Sequence, residues 1–392
     1  MKILMIAPTP FFSHRGTRIR ILEEARALER LGHDITIVTY HIGDDIYKYI
    51  DTNIDVRRIH KWLFWYKKTE AGADWQKVVL NIFLIRKIIY LTFIKKPDII
   101  HGHLHEGVIM GWFLQKIFFW RNIPLVSDFH GSLVGEMQSH GYLKFKPLAR
   151  IFSFLEKFIN SLGDVSMVSS AENSDSIRNS RKDNRVYHIG DGVNTDEYNR
   201  LKLDKDELRK KYNLPSDKII VVYTGALIAN KGVNILLDAI KLNKNESLFF
   251  VIGGFPCEWV NEYIDNFNLK NVKVISPLNY FELAEVNSLA DIAIDPKPMD
   301  DSIRQASGKI LQYMGAGLPI VCLDRPTNRI YLDKAGKYIQ KLLPEDILEA
   351  INDLSDNKEA MSNMGRLAKQ RADKFSWNFV GEKIEGLYKM FF

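Results

Sequence analysis

Cysteine is almost missing from this 392-residue chain: Cys257 and Cys322 are the only two. They lie far apart without metal-ligand spacing, so neither a disulfide framework nor a zinc site can be built from them. Both read as buried thiols in a reducing compartment. Also missing is an apolar run fit to cross a bilayer. The best stretch, Val78 to Ile94, carries Arg86 and Lys87 at its middle. Adjacent central charges are expensive in hydrocarbon, where about 20 apolar residues are needed. The opening MKILMIAPTP is too short an apolar run for a signal peptide, which makes the cytoplasm the expected location. Two nucleotide signatures are absent as well. Neither GxxxxGK(S/T) nor GxGxxG occurs, so the usual ATP and NAD readings lose ground. There is no short repeat, no low-complexity tract, and no DxD pair at a strand end in a metal-site setting.

What the chain has is length enough for two cores. Its 46% hydrophobic and 26% charged residues place it among soluble globular proteins, and its net charge of +6 suits an anionic ligand or a membrane surface. The first half alternates strand and helix. Strands are predicted at Ile3 to Ala7, Ile35 to Tyr40, Asp98 to His101, Pro124 to Asp128, Val165 to Ser169 and Val186 to Ile189. Helical stretches include Trp75 to Ile94 and Leu148 to Asn160, and Ile19, Leu22, Ala25, Leu28 and Leu31 mark a further helical face that Gly32 stops. The second half repeats the pattern, with strands at Ile219 to Tyr223, Leu248 to Ile252, Val272 to Ile275, Ile292 to Asp295 and Ile320 to Leu323. Its helices are predicted at Val233 to Leu242, Trp259 to Phe267, Phe281 to Leu289 and Lys309 to Met314. The polar interval from Asn199 to Lys218, or the residues just upstream, reads as the linker. The fold class is α/β: two doubly wound, Rossmann-like domains facing each other across a cleft at the C-terminal ends of their strands.

Two segments carry chemistry. GALIANKG, from Gly225 to Gly232, and SGKILQYMGAGLP, from Ser307 to Pro319, each pair a glycine-containing loop with an amphipathic helix and put one lysine at the junction. A helix N-terminus offers unpaired N–H groups and partial positive charge, which suits a phosphate. Two such junctions in one half of the chain point to a diphosphate, and so to a nucleotide sugar.

At these residues the chain resembles the large retaining glycosyltransferase family 4 of the GT-B fold. Five segments carry the resemblance in the family's order: GTRIRILEEARALERLGHDITIVTY, SDFHGSLVGE, HIGDGVNTDEY, YTGALIANKGVNILLDAI and SGKILQYMGAGLPIV. It implies an N-terminal acceptor-binding domain over residues 1–195, a C-terminal donor-binding domain over 196–376, and a helix at about 377–392 that packs back on the first domain. It implies that Lys231 holds the donor's diphosphate, that Ser307 and Gly308 present backbone to it, and that His130 contacts the donor sugar. Gly16 would let the first loop approach the donor and acceptor, and Gln312 would address the ribose hydroxyls. Transfer would proceed with retention and without a metal. The donor, UDP- or GDP-linked, is a substrate, and no cofactor is expected.

The chain departs from the family pattern in places. Where much of the family carries two glutamates eight positions apart, Arg304 and Gln312 stand here, and Ala226 takes the place of the arginine that usually follows Gly225. Arg304, Lys309 or Arg15 could supply the missing diphosphate cation. Lys309 and Gln312 are three apart and share a helix face, so they can address one ligand, or else form an exposed lysine and a capping glutamine. Asp128 and Glu136 flank the HG segment as acceptor-site or structural groups. His101, His103 and His105 alternate in HGHLH, which places them on one strand face. No carboxylate cluster beside them in sequence supports a metal, so they read as structural or acceptor-cleft histidines. Asp300 and Asp301 lie in a polar loop that either contacts the sugar or is solvated.

Aromatic and basic residues cluster in the first half: Trp62 to Lys68, Trp112 to Arg121, and Lys144 to Lys146. They suit contact with an anionic membrane, while core packing is the plainer explanation for most of them. No nucleic-acid module accompanies them. The combined expectation is a glycosyltransferase of the hexosyltransferase kind, cytoplasmic or at the inner face of the cell membrane. It would move a hexosyl unit to a lipid-linked or polysaccharide acceptor. The alternatives are a GT-B nucleotide-sugar epimerase, or a sugar-nucleotide-binding protein whose activity is impaired.

Overall fold

The computed structural model describes residues 1–14, 16–67, 75–139, 142–143, 145–298 and 308–392, the side chains of 139, 171 and 172 excepted. Arg15, Arg304 and Ser307 lie outside the described residues, as do Asp300, Asp301, Lys68 and Lys144. The chain divides into two compact units. Of the described residues, Met1–Asp191 and Trp377–Phe392 form one, and 192–298 with 308–376 form the other.

The first unit is built on seven parallel strands: β1 (Lys2–Ala7), β2 (Asp34–Thr39), β3 (Asp55–Arg58), β4 (Ile99–His103), β5 (Leu125–Phe129), β6 (Val165–Val168) and β7 (Val186–His188). Their order is β3-β2-β1-β4-β5-β6-β7. In register, Ile3 of central β1 lies opposite Ile35 on one side and Ile99 on the other. Every residue of β1 after Lys2 is buried, which is why a parallel strand covered on both faces reads as an unbroken apolar run. Helix Gly16–Arg30 follows β1 and buries Ile21, Leu22, Ala25 and Leu28. The C-terminal helix Trp377–Tyr388 lies against it. A Cβ added at Gly381 would come within 2.7 Å of the Ala27 Cβ, so the two backbones approach closely where both residues are small.

The second unit has six parallel strands: β8 (Ile219–Ala226), β9 (Leu248–Phe255), β10 (Val272–Ile275), β11 (Ile292–Asp295), β12 (Ile320–Leu323) and β13 (Gly336–Ile339), in the order β10-β9-β8-β11-β12-β13. Leu236, Leu237 and Ile240 of helix Val233–Leu242 share its core with Phe250, Ile292 and Val321 from the strands.

The structure corrects the sequence reading at several points. β4 continues past His101 to His103, and Leu104, at φ +61°, then breaks the strand. His105 therefore sits on helix Leu104–Ile117, not on the strand face of His101 and His103. β8 runs to Ala226, so Gly225 lies in a strand, paired with Gly254, and not in the following loop. Gly16 opens a helix instead of lying in the loop before it. Edge strands β3 and β13 were not expected, nor was helix Leu104–Ile117. The polar linker interval contains helix Lys205–Lys211, started by a capping box between Asp204 and Glu207. Among the described aromatics of the first-half clusters, Trp62, Phe64, Trp65, Phe119, Trp120 and Phe145 are exposed, while Tyr66 and Phe118 are core.

Candidate functional site

Functional side chains gather at one place in each unit. In the second unit they stand beyond the C-terminal ends of β8, β11 and β12, where open α/β sheets bind ligands. Strand β8 leads through the 3₁₀ turn Ala229–Lys231 into helix Val233–Leu242. Gly232 joins the two in the left-handed region at φ +77°, and a Cβ there would meet the carbonyl oxygen of Pro296 at 1.7 Å. Only glycine fits, and its fit clamps Lys231 beside the segment that follows β11. That segment carries Lys297, buried just past the strand end.

Burial pushes the Lys297 ammonium down to about 8, and the charges of Lys231, Lys309 and Arg325 push the same way while Asp295 opposes them. Arg325 donates to the Lys297 carbonyl. Lys309, in the first turn of helix Gly308–Gly315, lies 3.4 Å from Asp295 Oδ1, and an added Cβ at Gly225 would press on its Cδ at 2.9 Å. Lys297 thus stands among three further cations and one carboxylate. Like charges this close raise one another's energy, and a multiply charged anion is what relieves them.

One turn further along, Gln312 is half-buried. Its Oε1 accepts from the Tyr198 hydroxyl at 3.0 Å, and Asn287 Nδ2 donates to that hydroxyl at 3.1 Å. The carbonyl oxygen of Gln312 is therefore engaged within the protein, which leaves its amide N–H groups as the part suited to a ligand.

The first unit holds a different arrangement. Asp128, the fourth residue of β5, is fully buried, and His130 directly follows the strand. Burial alone would raise the Asp128 carboxyl. His130, Arg20 and the hydrogen bonds from His103 and His130 outweigh that and hold it well below the usual carboxylate range. As a carboxylate it only accepts. His130 Nε2 therefore donates to Oδ2 at 2.7 Å, and His103 Nδ1 donates to the same oxygen at 3.0 Å. The tautomer of His130 is fixed by this bond, and its Nδ1 has no hydrogen-bond partner among the described residues.

Arg20 reaches Asp128 Oδ1 at 3.5 Å, Asp191 Oδ1 at 2.8 Å and Glu24 Oε1 at 2.8 Å. Burial raises the Glu24 carboxyl well above its ordinary value, against the pull of Arg20. Behind them His101 stacks on His103 with ring centroids 4.3 Å apart. Tyr388 of the C-terminal helix donates to His101 Nδ1 at 2.6 Å. Burial, with the neighbouring His103, holds His101 neutral, and burial raises Tyr388, so both remain in the forms this bond needs.

Glu24, His101, His103 and Asp128 bring ligand-type atoms within 4.8 Å of one another, carboxylates that the local HGHLH sequence does not provide. Arg20 stands among them, and its guanidinium cannot give up its charge. A divalent ion would be set beside a permanent cation, so the group fits a charge-compensated hydrogen-bond network better than a metal site.

Of the residues singled out from sequence, the structure places Gly225, Lys231, Gly308, Lys309 and Gln312 in the second unit, and Asp128 and His130 side by side in the first. Glu136 is exposed on helix Leu133–Ser139, whereas its partner in the sequence reading, Asp128, is buried. Gly16 is exposed, with nothing within 4 Å of an added Cβ, so local packing does not require glycine there. Sequence reasoning missed Arg20, Glu24, Lys297, Arg325 and Tyr388. Lys297 had a usable signal: it stands between two prolines immediately after a predicted strand.

Residues 14–197 match the model of Glycosyltransferase Family 4, and residues 204–371 match that of Glycosyl transferases group 1. The D-inositol 3-phosphate glycosyltransferase of Corynebacterium aurimucosum is 25% identical over 402 residues, covering 95% of this chain and 90% of that protein. Among solved structures, the sucrose-phosphate synthase of Thermosynechococcus elongatus superimposes with a TM-score of 0.77 at 16% identity, covering 100% of this chain and 98% of that one. Anabaena HepE in complex with UDP-glucose does so with a TM-score of 0.74 at 15% identity, covering both chains completely.

Proposed function

The chain belongs to glycosyltransferase family 4, as a GT-B glycosyltransferase, and from that membership we propose that it moves a hexosyl unit, with retention, from a UDP- or GDP-sugar to a lipid-linked or polysaccharide acceptor at the inner face of a membrane. The observation that carries the donor half of this reading is the gathering of Lys231, Lys309 and Arg325 about Lys297, with Asp295 as the one opposing charge. A nucleoside diphosphate leaving group gains negative charge as the glycosidic bond breaks, and fixed cations favour that state over the ground state. Lys231 and Lys309 meet the diphosphate, Gly308 offers its backbone, and Gln312 turns its amide toward the ribose. His130 meets the donor sugar through Nδ1, the nitrogen that Asp128 leaves open. Occupation of HepE by UDP-glucose supports the donor class.

The test is a thermal-shift screen of UDP- and GDP-sugars, followed by transfer assays over lipid-linked and saccharide acceptors, with and without excess chelator. We expect stabilisation by one donor class, product only when acceptor is present, an unchanged anomeric configuration, and full rate in EDTA. Conversion of donor alone into a second sugar nucleotide would make the protein an epimerase. Tight donor binding without turnover on any acceptor would make it a binding protein. Loss of activity in EDTA, restored by manganese or magnesium, would remove the cation set from its assigned role.

A second expectation follows from Lys297. Its ammonium is held down to about 8, and only the charged form attracts a diphosphate. Binding of the anion restores the proton, so affinity for the nucleoside diphosphate should be flat from pH 7 to 8 and fall above it, by at most about tenfold per pH unit for one linked proton. Calorimetric titration across pH 7–9.5 checks this. Lys297→Met should bind more weakly and lose the break near pH 8. A break unchanged in that variant would place the titrating group elsewhere.

A further inference from the structure

Helix Lys146–Asn160 turns its apolar side outward. Pro147 starts it in the first turn, and its buried side is held by few groups. Ile159 and Asn160 are buried, and Glu156 accepts from Ser132 Oγ at 2.9 Å and from the Leu133 N–H at 2.7 Å. Leu148, Ile151, Leu155 and Phe158 recur at spacings of three and four, so they form a stripe along one face, with Phe154 at its edge. Core packing would hide this stripe. Instead Ile151 is 63% exposed and Phe154 76%, and Phe145, just before the helix, is 67% exposed.

The charges on the same helix are distributed in one sense. Lys146, Arg150 and Lys157 fall at i, i+4 and i+11, within one narrow strip bordering the apolar stripe. The only acidic residue, Glu156, points inward and is hydrogen bonded there. The outer surface of the helix therefore presents apolar side chains rimmed by three positive charges and no negative one. Such a face matches a bilayer interface, where the aromatic and aliphatic groups enter the acyl boundary and the bases meet anionic headgroups. A second copy of this helix would offer no outward carboxylate to meet those bases. Among the described residues, no helix is long and apolar enough to cross a membrane, so contact by this face would be lateral.

We propose that helix Lys146–Asn160 lies in the plane of an anionic phospholipid bilayer and docks the first unit on it. The proposal rests on the membrane-facing part of the functional reading but not on the donor chemistry, so vesicle binding and sugar transfer can fail independently.

Flotation of the full-length protein with phosphatidylcholine vesicles, with and without phosphatidylglycerol, tests it at low and high salt. The wild type should float with the anionic vesicles at low salt and be released at high salt, because exposed charges are screened within about 10 Å at 0.1 M salt. Ile151→Ser with Phe154→Ser should lower vesicle affinity at least about tenfold. Arg150→Glu with Lys157→Glu should lower it for anionic vesicles only, by more than the roughly fivefold expected for each base removed. All variants should unfold at the wild-type temperature and bind the donor nucleotide as tightly as wild type. The proposal is overturned if wild type stays behind with anionic vesicles at low salt. It is equally overturned if both variants float like wild type, if binding is lost only on Ile82→Ser with Phe93→Ser in helix Trp75–Lys95, or if sedimentation reveals a dimer that Phe154→Ser dissociates.

Discussion

Lys231→Ala should remove roughly 10²–10³ of the transfer rate, the usual cost of losing one preorganised electrostatic contact to a charge that develops in the transition state. The fold should survive, because the turn that carries Lys231 is held by backbone. The Gly232 N–H bonds the Ala229 carbonyl, and Gly232 packs without a side chain against Pro296. Lys231 itself is half-buried, at the start of the helix and not in the core beneath it. Its removal also relieves Lys297, whose ammonium is depressed in part by the Lys231 charge. The free energy lost from one cation is then partly returned through another in the ground state, so nucleotide affinity should fall less than turnover does. Steady-state kinetics beside calorimetric nucleotide binding measures both. Near-wild-type turnover in a folded Lys231→Ala protein would refute the assignment.

How much of this site could be read from sequence depended on whether the signal was local. Lys231 and Lys309 announce themselves because each stands beside a glycine where a loop becomes a helix, and the physics of a helix N-terminus is complete within a few residues. Strands β10, β11 and β12 were found at their observed limits for a similar reason: β11 and β12 are short apolar runs closed by an aspartate, and β10 is a β-branched stretch interrupted only by Lys273. β3 escaped because its sequence, DVRR, belongs to a sheet edge, where charge replaces the apolar run. Helix Leu104–Ile117 escaped because it begins in polar, glycine-containing HGHLHEG.

The larger gaps are non-local. Arg325 reaches Lys297 because β11 and β12 are neighbours in the sheet, which no local pattern states. Arg20 meets Asp128 across 108 residues, and Tyr388 meets His101 across 287. Periodicity marked the helix that carries Arg20 and the family resemblance implied the one that carries Tyr388, but only packing revealed the network they enter.

That network leads to the other large effect. Asp128→Asn should cost both stability and turnover, and the two losses have separate causes. The carboxylate offsets Arg20 at 3.5 Å, so its removal leaves the buried guanidinium one ionic partner short, beside Asp191 at 2.8 Å and a Glu24 carboxyl that burial raises well above its ordinary value. Breaking a buried pair in this way typically costs about 3–5 kcal/mol, read as a shift of the urea midpoint. The second loss is local to His130. An aspartate can only accept, so it fixes Nε2–H on His130 and leaves Nδ1 for the ligand, whereas an asparagine presents its N–H₂ as readily as its oxygen and fixes no tautomer. We expect the turnover number to fall on the order of 10² or more while the Michaelis constant for donor changes little, since a misplaced proton spoils the reacting geometry more than the binding of the nucleotide. Asp128→Glu, which keeps the charge but lengthens the side chain, should recover stability better than turnover. The His130 Nε2–H proton resonance gives a readout that a purely structural role would not move: it should be present and shifted downfield in wild type, and lost or displaced in the asparagine variant. If Asp128→Asn unfolds earlier in urea but keeps wild-type turnover below its transition, Asp128 serves only the ion pairs, and His130 is not held for the sugar.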